Sequence, residues 1–299
     1  MTYIPKYFSS SAEGTHLFNL FLPNTMLGSD PSMNFLITGA ARGIGRGLTR
    51  LLLQKGHRVI ALDNNVPELS HTESLFSAYR SSSSFFSLHC DLRDPTAIQD
   101  AAATTADVFS SHLDVLINNA ADTSTVLGPT IEDLTLQQWN DTLATNLTAP
   151  MLLSQACLPL LRKSPSRPRA GCIVNISSTR AHQSEPHSEG YAASKAGLLG
   201  LTHALASSLA ELGTGVRVNA VVLGWVSVAD ECEASDREGK GWEEAGQLKE
   251  EDHEWHWAGR VGMVEDVREA VEYLRRAEWV TGSEVVVDGG VGRKMVYPE

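Results

Sequence analysis

Tyr191 and Lys195 stand four residues apart in Tyr-Ala-Ala-Ser-Lys, inside a stretch with helical apolar periodicity. On a helix that spacing puts both side chains on one face. A lone phenol, with an ordinary pKa of about 10, is a poor base near neutrality. A neighbouring ammonium favours the phenolate and lowers that value. The pair therefore suits proton exchange with a substrate oxygen. Taken alone, a Tyr-x-x-x-Lys on a helix is most often surface decoration, so its weight depends on its company.

That company begins at Thr38-Gly39-Ala40-Ala41-Arg42-Gly43-Ile44-Gly45, directly after an apolar run at 34–38 and directly before a helical pattern. Glycines at 39, 43 and 45 allow a tight turn and close backbone approach, and the helix start aims amide N–H groups at an anion. Strand, glycine turn and helix in that order fit a pyrophosphate site, with Gly39, Arg42, Gly43, Ile44 and Gly45 as expected contacts. The second apolar run, 58–62, ends in Asp63, eighteen residues after Gly45. A carboxylate there accepts hydrogen bonds from ribose hydroxyls and repels a 2′-phosphate, which favours NAD over NADP. Arg42 pulls the other way, because a cation in the turn suits a 2′-phosphate. Asp63 could also simply open a turn with Asn64 and Asn65.

The elements that must hold these groups alternate along the chain. Apolar runs occur at 34–38, 58–62, 85–89, 114–117, 172–176, 216–222 and 284–287. Helical patterns occupy 44–55, 96–109, 134–161, 191–212 and 264–274. Strands without polar alternation are buried on both faces, and strand–helix alternation of this kind predicts an α/β fold: a doubly wound, Rossmann-type parallel sheet of about seven strands with helices on both faces. Residues 33–299 are expected to form a single domain, with residues 163–169 as a loop. Residues 1–32 read as an N-terminal extension, either a flexible arm or a packing strap.

In this setting the chain resembles the short-chain dehydrogenase/reductase family, over nearly everything from Met33 to Gly290. The turn matches the family's TGxxxGxG. Asp91-Leu92 follows the third strand, Asn118-Asn119-Ala120-Ala121 resembles its NNAG, Asn146 matches its helix asparagine, and Ser177-Ser178 precedes the YxxxK of Tyr191 and Lys195. The resemblance implies hydride transfer between a nicotinamide cofactor and an alcohol or ketone. In that reaction Tyr191 is the acid/base, Lys195 tunes it and holds the nicotinamide ribose, Ser178 holds the substrate oxygen, and Asn146 serves a proton relay through water. Ser178 is preferred to Ser177 because it lies thirteen residues before Tyr191, the family's spacing. Asp91, Leu92, Asn118, Ala120, Gly224 and Val226 are the further cofactor contacts it implies. Ala121, Leu223 and Val228 depart from the family's usual glycine, proline and threonine, which bears on cofactor pose more than on reaction type. The family's dimer-forming helices correspond to 134–161 and 191–212, so a homodimer or homotetramer is expected.

Past Gly224 the resemblance implies a substrate lid over about 225–258. It carries Trp225, Trp242, Trp255 and Trp257, which could line a pocket for an aromatic or bulky substrate or merely anchor the lid. From Ala229 to Trp257 there are eleven Asp or Glu against three Lys or Arg. That acid is expected on the lid's solvated outer face and disfavours highly anionic substrates. The formal net charge of −12 argues against nucleic acid or an anionic membrane as partner. No apolar run is long enough to span a membrane, and the start lacks a secretory pattern, so the cytoplasm is the expected location. The four cysteines form no CxxC pair, and no metal centre is expected. Two rival functions use the same scaffold: a non-redox enzyme that retains NAD, such as an epimerase or dehydratase, and a cofactor-binding protein without turnover.

Overall fold

The computed structural model describes residues 31–165, 167–238 and 248–294. Seven strands form one sheet: β1 (Asn34–Thr38), β2 (Arg58–Asp63), β3 (Phe85–His89), β4 (Val115–Asn118), β5 (Cys172–Ser178), β6 (Arg217–Leu223) and β7 (Glu284–Val287). All pairings are parallel, in the order β3-β2-β1-β4-β5-β6-β7. The order reverses between β1 and β4, and ligands of such sheets sit beyond the strand ends at that switch point. This is the expected doubly wound α/β domain.

The helices are α1 (Gly43–Gln54), α2 (Val66–Leu75), α3 (Ser77–Ser81), α4 (Pro95–Val108), α5 (Leu136–Leu143), α6 (Ala149–Leu161), α7 (Glu189–Glu211), α8 (Glu233–Glu238), α9 (Glu250–Glu254) and α10 (Val264–Arg276). One apolar core packs Leu48 and Leu52 of α1 and Val267 and Val271 of α10 on the sheet. A second packs Ile98 of α4, Leu153 of α6 and Leu209 of α7 on the other face. Each such buried side chain contributes about 1.5–3 kcal/mol, so the two layers fix the strand ends that carry the site.

Three differences from the sequence reading matter. The single helix expected over 134–161 is two helices joined by a π-helical turn at Ala144–Thr148, which holds Asn146. Strand β5 continues past Ile176 to Ser178, so that serine is the last strand residue at the carboxyl edge. Helix α2 gave no strong periodic signal; it is started by Asn65, whose side chain accepts from the Glu68 N–H, and by Pro67 in its first turn. The four cysteines are buried and form no disulfide. No described helix is long and apolar enough to cross a membrane. The reading of residues 1–32 as an arm or strap falls almost wholly outside the described residues, as does Trp242.

Candidate active site

The glycine turn leaves β1 at Thr38 and enters α1 at Gly43. Gly39 has φ +63°, and a Cβ on it would lie 2.7 Å from the Ala120 Cα. A Cβ on Gly45 would lie 2.1 Å from the Gly39 carbonyl oxygen, so only glycine lets the helix sit so close to the turn. Gly43, at φ +60°, has nothing nearer than Val228 Cγ2 at 4.0 Å. Helix α1 begins without a side-chain cap. The Gly43 N–H donates to the Glu231 carbonyl at 2.8 Å, and the following amides, with no side chain capping them and open space beside Gly43, face where a pyrophosphate would sit.

Asp63 stands at the end of β2 on the same cavity. Its two carboxylate oxygens accept from the Ala41 N–H and the Asn65 N–H, each at 2.9 Å. It thus braces the turn as well as facing the cavity, and each oxygen retains a lone pair for a ribose hydroxyl. Asp91 and Leu92 line the wall beyond; Arg93 pairs with the Asp91 carboxylate at 2.8 Å and holds its pKa below the ordinary range.

Of the two adjacent asparagines, the structure reverses the expectation. The Asn118 side chain is buried and donates to Asn175 Oδ1 at 2.8 Å, while Asn175 donates to Thr202 Oγ1. It ties β4 to β5 and α7 and does not line the cavity. Asn119 does: its Nδ2 donates to the Thr38 and Gly39 carbonyls, and its backbone N–H to Thr38 Oγ1. Alternation along an extended chain turns consecutive side chains to opposite sides, a parity the sequence motif does not resolve.

Ser178, Tyr191 and Lys195 come together on one wall of a cavity of about 1100 Å3 that also receives Gly39, Arg42, Gly43, Ile44, Asp63 and Ala120. Ser178 Oγ accepts from the Arg180 N–H at 3.2 Å. The partly buried Tyr191 phenol is pushed up from its ordinary pKa, first by burial; hydrogen bonding with Ser178 and the charge of Arg180 pull it down less strongly. Lys195 is 2% exposed, and its Nζ donates to the Ile176 carbonyl at 2.8 Å. Nζ lies 5.4 Å from the Tyr191 ring centroid. Burial lowers the Lys195 pKa to about 8. The sequence reading made Lys195 the tuner of the phenol; its Nζ lies beside the Tyr191 ring while it donates to the Ile176 carbonyl, and Ser178 and Arg180 also favour the phenolate. Asn146 accepts from the Asp122 N–H and donates to the Asp122 carbonyl and Ser194 Oγ. Its side chain steadies the loop after β4 and the helix of Tyr191. Gly45, like Asn118 and Asn146, sits behind the cavity wall.

The far end is built by Gly224, Trp225 and Val226 after β6, by Trp255 and His256 of the expected lid, and by the loop after β5. A Cβ on Gly224 would lie 2.8 Å from the Asp288 Cα, so this position needs glycine. The departures Ala121, Leu223 and Val228 all line the cavity. Trp225 and Trp255 also line it, whereas Trp257 packs beside Gly290 and is 65% exposed. The lid acid is not all solvated. Glu231 is buried, accepts from Arg46 Nε at 3.0 Å and is paired with Arg50; Asp236 binds Arg46 at 2.6 Å and His71 at 2.8 Å. Arg46 on α1 is itself buried, and a buried guanidinium requires counter-charges. Among the described residues no cluster of His, Cys, Asp or Glu could hold a metal ion.

The family described as enoyl-(acyl carrier protein) reductase matches residues 39–292. An uncharacterized oxidoreductase from Thermotoga maritima is 33% identical over 267 residues, covering 88% of this chain and 97% of its own. The chain belongs to the short-chain dehydrogenase/reductase family. Among its relatives, the 3-oxoacyl-[acyl-carrier-protein] reductase FabG of Salmonella typhimurium is 30% identical over 258 residues, covering 86% of this chain and 96% of that one. Among solved structures, an apo SCOR enzyme from Clostridium thermocellum superposes with a TM-score of 0.72 at 30% identity, covering 89% of this chain and 95% of that one. A blue fluorescent protein from a metagenomic library, in complex with NADPH, does so with 0.71 at 26% identity, covering 87% and 97%. The chain is thus a short-chain dehydrogenase/reductase oxidoreductase, and its glycine turn, Asp63 and the start of α1 fit the nicotinamide dinucleotide typical of that family.

Proposed function

We propose that this short-chain dehydrogenase/reductase interconverts an alcohol and a ketone on a small molecule with NAD(H). The observation that carries the reading is one cavity lined by both the dinucleotide cradle and the Ser178–Tyr191–Lys195 set. When bound, the dinucleotide supplies or accepts the hydride. Ser178 Oγ holds the substrate oxygen and stabilises charge that develops on it. Tyr191 donates its proton to that oxygen on reduction and takes it back on oxidation. Burial holds the phenol above its ordinary pKa in the nucleotide-free protein. Lys195 orients the ribose, and Asn146 keeps the Tyr191 helix in place through Ser194.

Asp63 favours NAD over NADP by repelling a 2′-phosphate. We further infer a cytoplasmic homodimer or homotetramer acting on an alcohol or ketone that is not highly anionic. The half-exposed Val286 on edge strand β7 supports assembly.

The test is a screen of alcohols and ketones followed at the NADH absorbance, with Tyr191→Phe in parallel. We expect turnover to fall by about 10^3-fold while nucleotide binding is retained. Full turnover in Tyr191→Phe would reject the assignment. A product isomerised or dehydrated with no net NADH would instead favour the non-redox reading.

A further inference from the structure

Helix α1, whose start faces the pyrophosphate site, has cations at Arg42, Arg46 and Arg50, four residues apart, and no acid in its first turn. Cations at that spacing repel one another, and they oppose the positive end of a helix. The counter-charges come from another segment, residues 228–236 at the root of the expected lid. Every side-chain nitrogen of the buried Arg46 is engaged there. Nε donates to Glu231 Oε2 at 3.0 Å, Nη1 to Asp236 Oδ2 at 2.6 Å and Nη2 to the Asp230 carbonyl at 2.7 Å. Arg50 Nε donates to the other oxygen of Glu231 at 3.0 Å.

The clamp reaches the cavity through two backbone bonds. The Gly43 N–H donates to the Glu231 carbonyl at 2.8 Å, and the Glu231 N–H donates to the Val228 carbonyl at 3.0 Å. Val228 lines the cavity, and its Cγ2 is the nearest atom to a Cβ built on Gly43, at 4.0 Å. Trp225 and Val226 line the same wall. At the far end of the segment, α8 rests on α2. Asp236 Oδ2 also pairs with His71 Nε2 at 2.8 Å, and the Glu233 N–H donates to Glu68 Oε2 at 2.9 Å. One wall of the nucleotide site is therefore tied by ion pairs to the helix that forms the cradle.

We propose that Arg46 and Asp236 are positioning residues that latch the lid root to the cofactor cradle, so that the latch loosens before the dinucleotide leaves and its strength sets how long the dinucleotide stays. This rests on the dehydrogenase reading above. Coupling of this kind is reciprocal: a latch that retains the nucleotide is itself tightened by the nucleotide. Asp236 is the informative member, because it is partly exposed and joins α8 to both α1 and α2, and its loss leaves Glu231 on the buried Arg46.

The experiment follows NADH release from the full chain by stopped-flow fluorescence, with excess NAD as the chase, in wild type, Asp236→Ala, Asp236→Glu, His71→Ala and Glu272→Gln. Glu272 pairs with Arg275 and Arg276 on α10, outside the cavity lining, and controls for general loss of stability. Release should be at least about fivefold faster in Asp236→Ala, faster by less in His71→Ala, largely restored in Asp236→Glu and unchanged in Glu272→Gln. Hydrogen exchange gives a readout independent of turnover. NAD should slow exchange of the amides at 229–236 in wild type and fail to do so in Asp236→Ala, while slowing the turn at 39–45 in both. Unchanged release in Asp236→Ala, equal acceleration in Glu272→Gln, or exchange at 229–236 that NAD does not alter in wild type overturns the proposal. Should Asp236→Ala not fold, unchanged release in His71→Ala overturns it equally. Failure of NADH to bind wild type would overturn the dehydrogenase reading first, and the proposal with it.

Discussion

The two ends of the cavity are made differently. The cofactor end is a backbone construction: glycines whose Cβ positions are blocked, amide N–H groups on Asp63, and Asn119 holding two carbonyls. The substrate end is assembled from side chains that are far apart in sequence, namely Arg180, Trp225, Trp255 and His256. A cradle of backbone can accept one shape of ligand, so its residues recur as a compact motif. A wall of side chains can be exchanged residue by residue, and it is there that substrate choice resides.

The contact that crosses this division gives the largest expected effect. Glu231 belongs to the lid root, yet its carboxylate clamps Arg46 and Arg50 of α1 and its carbonyl accepts from the Gly43 N–H at 2.8 Å. Glu231→Ala leaves the buried Arg46 short of a counter-charge and should cost about 3–5 kcal/mol in chemical denaturation. If it costs nothing, the lid root is not a brace of the cofactor end.

A pH series gives the next effect. Lys195 has a folded pKa of about 8 against an ordinary 10.5. Below the lower value the lysine is charged in both states and stability is flat. Between the two values the unfolded chain holds the extra proton, so stability of the nucleotide-free protein should rise with pH, by roughly 3 kcal/mol in all. The raised phenol of Tyr191 works against this only above its ordinary pKa of 10. Lys195→Met should flatten the rise; an unchanged slope would show that the lysine is not desolvated.

The smallest of the three is Asn119→Ala, which frees two carbonyls at the turn. About 1–3 kcal/mol of stability should be lost, together with nucleotide affinity, whereas Trp255→Ala at the other end should leave nucleotide affinity unchanged. Equal losses of affinity in both would erase the contrast between the two ends.

The same contrast explains what could be read from the sequence. The strands, α1, the glycine turn and Tyr191–Lys195 follow from period and local spacing. Ser178 was named from its spacing to Tyr191 through the family resemblance, and the structure adds that β5 runs on to set it at the strand edge. Asn119 was hidden by side-chain parity, since its neighbour Asn118 turns into the core. Glu231 was lost among the acids expected on the lid's solvated face, and it gains its meaning only from Arg46, a partner contributed by another segment.

The most direct test of the central claim is thermal stability with NAD, NADH, NADP and NADPH at matched concentrations, on wild type and on Asp63→Asn. A ligand bound only by the folded state raises the melting temperature according to its affinity. The asparagine keeps an acceptor to brace the turn but removes the charge that repels a 2′-phosphate. The account predicts stabilisation of wild type by NAD and NADH, with NADP and NADPH gaining in the variant. Stabilisation of wild type by NADP(H) alone would contradict the NAD assignment and make Arg42 the deciding residue, and no response to any of the four would contradict the oxidoreductase reading of the cavity.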